Sequence, residues 1–204
     1  RIKVEAVRSE YLAEEKVGYV RVLRFDEEAP ALVGQALFSF PLDELRGVIL
    51  DLRNNPGGLL SSAVEVASFF IDRGVVVRTR GPSFGEKIYR SRGNSFPNVP
   101  LAVLVNEGTA SGAEIVAGAI QDHGVGVLVG RKTFGKGLIQ EFVLQLPDGG
   151  LLKLTTGEYF TPNGRKVHDV GLDPDIPVEG KEDTEEDLDL EAALEWLVSA
   201  GVKP

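Results

Sequence analysis

The 204-residue chain contains no cysteine, which excludes disulfide bonds and metal sites built on thiolates. It also contains no methionine, so we expect it to be a processed or excised piece rather than a chain that begins at a translation start. The two histidines, His123 and His168, have no suitably spaced third ligand, and we expect no metal site. No apolar run approaches the length of a membrane span, and no signal peptide is visible.

Positive charge is scarce. Lys and Arg number 22 against 31 Asp and Glu, which gives a formal net charge of −9. Binding to phosphates needs a concentrated basic face, and because none is present nucleic acid is excluded as a partner. The acid is concentrated in residues 181–187. We predict one core over residues 1–180 and an acidic C-terminal segment over residues 181–204 that ends in a helix.

Strands and helices are predicted to alternate along most of the chain. The predicted strands are 1–10, 16–24, 47–52, 99–105 and 126–129, and the predicted helices are 30–40, 59–71, 110–121 and 185–199. Residues 138–160 are predicted to form an antiparallel hairpin with its turn at 147–150. This order of elements indicates an α/β fold with an added hairpin.

Ser111 lies where a predicted strand turns into a helix. Such a corner presents the hydroxyl to solvent and places the amide at a helix N-terminus, which carries free N–H groups and a partial positive charge. Both features suit a nucleophile whose reaction generates an oxyanion. The alternative is that Ser111 only caps the helix, although Thr109 is also a good candidate for that cap.

Lys136 lies between two glycines just before another predicted strand. A lysine acts as a general base only in its neutral form, which burial against apolar neighbours such as Phe134, Leu138 and Ile139 favours. The alternative is a solvated loop lysine, which is the role we expect for Lys132.

Two further features accompany this pair. On a straight strand Gln140 would stand about 13 Å from Lys136, so direct contact needs a bend, and otherwise Gln140 is an ordinary exposed strand residue. Gly57 and Gly58 offer backbone N–H groups at another helix start, where they would form part of an oxyanion hole or only a tight connection. The flanking residues Asp51 and Arg53 are candidates for a structural ion pair.

Four segments carry a resemblance that spacing alone does not give. In order, they are residues 49–58, 105–114, 133–140 and 154–165, and residues 171–175 add a fifth. Together they resemble the carboxyl-terminal processing peptidases, also called tail-specific proteases, which use a serine–lysine dyad. The match covers nearly the whole chain. Gly112 departs mildly from it, since the family more often has alanine there.

The resemblance implies a serine endopeptidase with a crotonase-like or Clp-protease-like α/β core. Ser111 would be the nucleophile, Lys136 its general base and Gln140 a residue that positions the lysine. The oxyanion hole would use the amide of Gly112 and an amide of the turn at residues 57–58. Substrates would be polypeptides cut near unstructured C-termini, without ATP, metal or cofactor.

The resemblance also implies parts that this sequence lacks. Members of the family usually carry a PDZ domain and an N-terminal arm before the segment that begins here at residue 1, and the PDZ domain captures the substrate's C-terminus. An extracytoplasmic location is implied, either the bacterial periplasm or cell envelope, or the plastid lumen. Assembly into a homo-oligomer stays open.

Three other readings stay open as well. The chain could be a non-catalytic peptide-binding relative, or a crotonase-type enzyme that acts on acyl-CoA. It could also be a protease core that is inactive without its PDZ domain.

Overall fold

The structure is a computed structural model that describes residues 5–93, 96–145, 149–179 and 187–200, without the side chains of residues 142 and 143. The strands are β1 (Val7–Leu12), β2 (Val17–Val22), β3 (Gly47–Asp51), β4 (Val75–Gly81), β5 (Gly85–Arg90), β6 (Leu101–Val105), β7 (Val127–Gly130), β8 (Leu138–Gln145), β9 (Leu151–Phe160) and β10 (Ile176–Pro177). The helices are α1 (Ala29–Ser39), α2 (Leu60–Ala67), α3 (Gly112–His123) and α4 (Leu188–Ala200). Among these helices none is long and apolar enough to cross a membrane.

The first sheet has the strand order β1-β2-β3-β6-β7-β10. Its strands run parallel except β1, which pairs antiparallel with β2. Every residue of β3 and β6 is buried, as expected for central strands covered on both faces. Helices α2 and α3 follow β3 and β6, so the N-termini of both helices lie at the carboxyl edge of the sheet. The predicted alternation of strands and helices is confirmed.

The second sheet is antiparallel, with the order β5-β4-β9-β8. The predicted hairpin over residues 138–160 is confirmed as the pair β8 and β9. Most of its predicted turn, residues 146–148, lies outside the described residues. Residues 72–98 were predicted to contain no strand, yet β4 and β5 form there. Strand β5 is exposed along most of its length and lacks an apolar face, so its sequence carries no strand pattern.

Both faces of the first sheet are covered by helices. Helices α1, α2 and α3 pack on one face, against residues such as Leu50, Val103 and Leu128. Helix α4 packs on the other face through Ala193 and Leu197. The predicted terminal helix is therefore confirmed, while the acidic stretch before it lies largely outside the described residues. The division at residue 180 stays a prediction.

Candidate active site

A cavity of about 680 Å³ lies where helices α2 and α3 face strands β8 and β9. Its walls bring together all six residues that the sequence analysis selected. These residues are Gly57, Gly58, Ser111, Gly112, Lys136 and Gln140.

Ser111 lies at the corner between β6 and α3 and is the N-cap residue of the helix. Its backbone has φ 56° and ψ −117°, a conformation that residues other than glycine rarely adopt. The prediction that Thr109 could serve as the cap was wrong. The Thr109 hydroxyl instead donates to the carbonyl of Leu52 (2.9 Å) and accepts from the amide of Asn106 (3.0 Å), which joins the loops that follow β3 and β6.

Glu114 connects the serine corner to the lysine loop, and the sequence analysis missed it. Its side chain is fully buried. Oε2 accepts from the amides of Ser111 (2.9 Å) and Lys136 (2.9 Å). Oε1 accepts from the amide of Gly135 (2.7 Å) and the hydroxyl of Thr133 (2.5 Å). One signal was present in the sequence, because a glutamate three residues after a serine N-cap is the pattern of a capping box.

Lys136 lies in an irregular segment that ends where β8 begins at Leu138. Gly135 has φ +87°, which bends the chain at the lysine. A Cβ on Gly137 would come within 2.4 Å of the amide nitrogen of His168, so the loop packs tightly against the segment after β9. Lys136 is half-buried, and it reaches the cavity beside Leu138 and Ile139.

Of two residues near Lys136 in the sequence, Phe134 departs from its predicted role and Lys132 keeps it. Phe134 was expected to shield Lys136, but its side chain is 66% exposed and lies outside the cavity lining, so that expectation was wrong. Lys132 was expected to be a solvated lysine, and it forms an exposed ion pair with Asp173 (3.1 Å).

Gln140 lines the cavity from β8 and is exposed. It lies where the register between β8 and β9 shifts.

Tyr159 is a second buried residue that the sequence analysis did not select. Its hydroxyl lies 3.0 Å from the carbonyl oxygen of Ser111 and 3.4 Å from Oε2 of Glu114, and it makes a short hydrogen bond to the carbonyl of Lys136. Burial, together with the nearby charge of Glu114, raises the pKa of Tyr159 above its usual value. The hydroxyl therefore stays protonated and acts as a donor.

The glycine turn contributes a backbone amide that faces the cavity. The amide of Gly57 donates to Oδ1 of Asn55 (2.8 Å), whereas the amide of Gly58 has no hydrogen-bond partner among the described residues. The turn packs closely on the serine corner, because a Cβ on Gly57 would lie 2.7 Å from both the amide nitrogen of Gly112 and Cβ of Ser111. Gly58 and Gly112 are close neighbours, because a Cβ on Gly112 would lie 3.4 Å from the amide nitrogen of Gly58.

The ion pair predicted between Asp51 and Arg53 is confirmed, with 2.8 Å between Oδ2 of the aspartate and Nη2 of the arginine. Arg53 also binds Asp187 through two hydrogen bonds (2.6 and 2.9 Å), so the residue just before the glycine turn is linked to the start of α4.

The part of the chain that the structure describes contains no cluster of three or more acidic or histidine side chains that could hold a metal ion.

Comparison with known proteins gives the family. The model of peptidase family S41 matches residues 16–178. The chain belongs to peptidase family S41. A carboxy-terminal-processing protease of Bartonella bacilliformis is 40% identical over 184 residues, which are 87% of this chain and 42% of the relative. A chloroplastic C-terminal processing peptidase of Tetradesmus obliquus is 40% identical over 168 residues, which are 82% and 36% of the two chains.

A solved structure of a photosystem II D1 C-terminal processing protease is similar to this S41 chain, with a TM-score of 0.79 and 35% identity. It is matched over 96% of this chain and 53% of its own length. The S41 chain therefore spans about half or less of the length of these relatives. The resemblance drawn from the sequence is confirmed at the level of the family and the fold.

Proposed function

We propose that this chain is the catalytic core of a serine endopeptidase that cleaves polypeptides near their C-termini. The observation that carries the proposal is the meeting of Ser111 and Lys136 in one cavity, which Gly58 and Gly112 also line. A hydroxyl, a base and two amide donors are the groups that acyl transfer needs.

The reaction begins when the neutral amine of Lys136 accepts the proton of the Ser111 hydroxyl. The serine oxygen then bonds to the scissile carbonyl carbon, and the carbonyl oxygen becomes an oxyanion that the amides of Gly58 and Gly112 stabilise. As the C–N bond breaks, the lysine ammonium gives its proton to the departing amine. Water then attacks the acyl-enzyme and gives a proton to Lys136, which returns it to the serine oxygen.

The shape of the cavity fits an extended polypeptide. Strand β8 is an edge strand of the second sheet, and four successive residues, Leu138 to Glu141, line the cavity. Consecutive side chains point to opposite faces of a strand, so four in a row line a cavity when the strand presents its edge to it. A substrate strand would add to this edge and place its scissile bond at Ser111.

The proposal extends to the surroundings of the core. Substrates would be polypeptides with unstructured C-termini, delivered by a PDZ domain elsewhere in the full-length protein, and the reaction would use neither metal nor ATP. We place the protein outside the cytoplasm, in the periplasm, the cell envelope or a plastid lumen. The chloroplastic relative supports the plastid alternative.

Substituting the two nearby lysines tests the dyad. In the full-length protein, Lys136→Ala should lower the rate of cleavage of an unfolded substrate by about 100- to 10,000-fold, because the general base is lost. Lys132→Ala removes only an exposed ion pair with Asp173 and should leave the rate close to that of the wild type. Circular dichroism would check that both variants fold.

The dyad assignment fails if the two variants lose activity equally, or if neither does. Labelling by a fluorophosphonate, which phosphonylates activated serines with loss of fluoride, gives a second measurement. Labelling at Ser111 in the wild type separates a peptidase from a non-catalytic relative. Binding of a coenzyme A thioester without labelling would favour the crotonase-type alternative.

A further inference from the structure

We infer that Tyr159 is a positioning residue of the proposed dyad, and that its hydroxyl sets the separation between the backbones of Ser111 and Lys136. This inference rests on the proposed function. The hydroxyl contacts the carbonyl oxygens of both residues, which are supplied by different elements of the fold. Ser111 is the N-cap of α3, which follows β6 of the first sheet, whereas Lys136 lies just before β8 of the second sheet.

The backbone amide and the backbone carbonyl of both Ser111 and Lys136 are held by hydrogen bonds. Glu114 accepts hydrogen bonds from their amides, and Tyr159 lies against their carbonyl oxygens. Tyr159 is 3% exposed and lines the cavity beside both residues. The carboxylate and the hydroxyl thus fix the serine and lysine backbones from opposite ends of each residue.

The hydroxyl of Tyr159 carries one proton and faces three acceptors. Its contact with the carbonyl of Lys136 is shorter than those with Ser111 (3.0 Å) and Glu114 (3.4 Å). The carbonyl of Ser111 has a second donor, the amide of Ile115 (3.1 Å) in the first turn of α3. The carbonyl of Lys136 lies in an irregular segment, where no helical amide stands in for the tyrosine, so we expect the lysine side to depend more on the hydroxyl.

Removing the hydroxyl should disturb geometry without removing a group that reacts. The ring of Tyr159 belongs to the main core cluster and would still fill its space as phenylalanine. The lysine loop would lose its donor and shift by a fraction of an ångström relative to Ser111. Displacements of about 1 Å at a reacting pair lower rates by about 100-fold.

The experiment compares Tyr159→Phe with wild type in the full-length protein, using steady-state cleavage of an unfolded substrate and the rate of fluorophosphonate labelling at Ser111. We expect kcat and the labelling rate to fall by about 10- to 100-fold, with little change in KM. The melting temperature should stay above the assay temperature. Tyr89→Phe, which removes a hydroxyl from a half-buried tyrosine on β5 of the same sheet, should match the wild type.

A second variant isolates the hydrogen bond. Placing 4-aminophenylalanine at position 159 keeps the ring and restores a donor, and it should recover most of the kcat that Tyr159→Phe loses. Failure of this rescue in a folded protein would overturn the inference. So would a Tyr159→Phe enzyme with unchanged kcat, or one whose loss only follows the folded fraction measured by circular dichroism.

Ser111→Ala in the same assays distinguishes failure of the inference about Tyr159 from failure of the proposed function. If Ser111→Ala abolishes cleavage while Tyr159→Phe leaves kcat unchanged, the inference fails and the proposed function stands. If Ser111→Ala retains cleavage, the proposed function itself fails.

Discussion

Ser111 combines two properties that a helix cap does not need together. It starts a helix, and it does so with a positive φ of 56° that places strain in the backbone. Glu114 and the tightly packed glycine turn hold it there. Strain kept in place by buried contacts is typical of a functional residue rather than of a simple cap.

Gly57 shows how little space the corner leaves. With φ +97° and three atoms within 2.8 Å of an added Cβ, Gly57→Ala must push the turn away from Ser111 and Gly112. We expect kcat to fall by about 10-fold or more, because the amide of Gly58 would move away from the proposed oxyanion hole. Steady-state cleavage kinetics would measure this.

Gly164→Ala is the matched control for that substitution. Gly164 also has a positive φ of +82°, but an added Cβ would meet nothing within 4 Å. It should lose about 1–2 kcal/mol of stability from backbone strain and keep its kcat. Equal losses of kcat in the two variants would show that the close packing of Gly57 is irrelevant.

The residues proposed to react could be selected from the sequence, and a capping-box pattern marked Glu114, but nothing in the sequence marked Tyr159. The motifs around Ser111 and Lys136 are local in sequence. By contrast, Tyr159 reaches Ser111 from 48 positions further along the chain. Its part in the site depends on the packing of β9 against α3, which no local pattern reveals.

At the scale of elements, α4 and the glycine turn are connected by charge. Asp187, just before α4, binds Arg53, which lies just before the turn. Burial of Asp187 opposes its ionisation, but the hydrogen bonds and charge of Arg53 outweigh it and hold its pKa below the usual value. The link therefore depends on the ionised form of Asp187.

The link should show as a dependence of stability on pH. A carboxylate whose folded pKa is lowered adds stability that is fully present above the unfolded pKa of about 3.9. This contribution is lost as the pH falls through the lower folded pKa. Asp187→Asn should therefore reduce the free energy of unfolding at pH 7 by about 1 kcal/mol at most, because the pair is partly exposed.

Urea denaturation of wild type and Asp187→Asn between pH 2.5 and 7 would measure this, with the range taken about the ordinary pKa of aspartate. The difference in stability should narrow only at the acidic end. A difference that is constant over the whole range would rule out the ion pair as its cause.

The helices and strands with a clear pattern of apolar residues were predictable from the sequence, whereas the exposed edge strand β5 was not. Strands β3 and β6 are buried throughout and are nearly continuous apolar runs, with Asp51 as the charged exception, so the sequence indicated them directly. Strand β5 is mostly exposed and held by pairing with β4, so its structure comes from tertiary contacts.

At the scale of the whole molecule, the first sheet needs helices on both of its faces. Helix α4 is the last described element, yet it covers a complete face of the central strands. Leu197 fits against Gly47, where an added Cβ would lie 2.7 Å from its side chain. Stability therefore depends on the chain from its first described strands to its last helix.

Leu197→Ala should lower the free energy of unfolding by about 2–5 kcal/mol, because it leaves a cavity under a fully covered face. Val198→Ala changes the neighbouring residue, which is 57% exposed, and should change stability by less than about 0.5 kcal/mol. Chemical denaturation would measure both. Similar values for the two variants would mean that α4 does not stabilise the sheet.

The contacts of Glu114 and Tyr159 have a consequence for biosynthesis. The proposed nucleophile, its proposed base and the tyrosine lie at positions 111, 136 and 159, and the hydroxyl of Thr133 in the same network accepts from the amide of Leu172. A growing chain thus lacks the tyrosine that contacts both Ser111 and Lys136 until residue 159 has been made. The contacts proposed to align the serine and the lysine therefore form late in the synthesis of this segment, after both residues have been made.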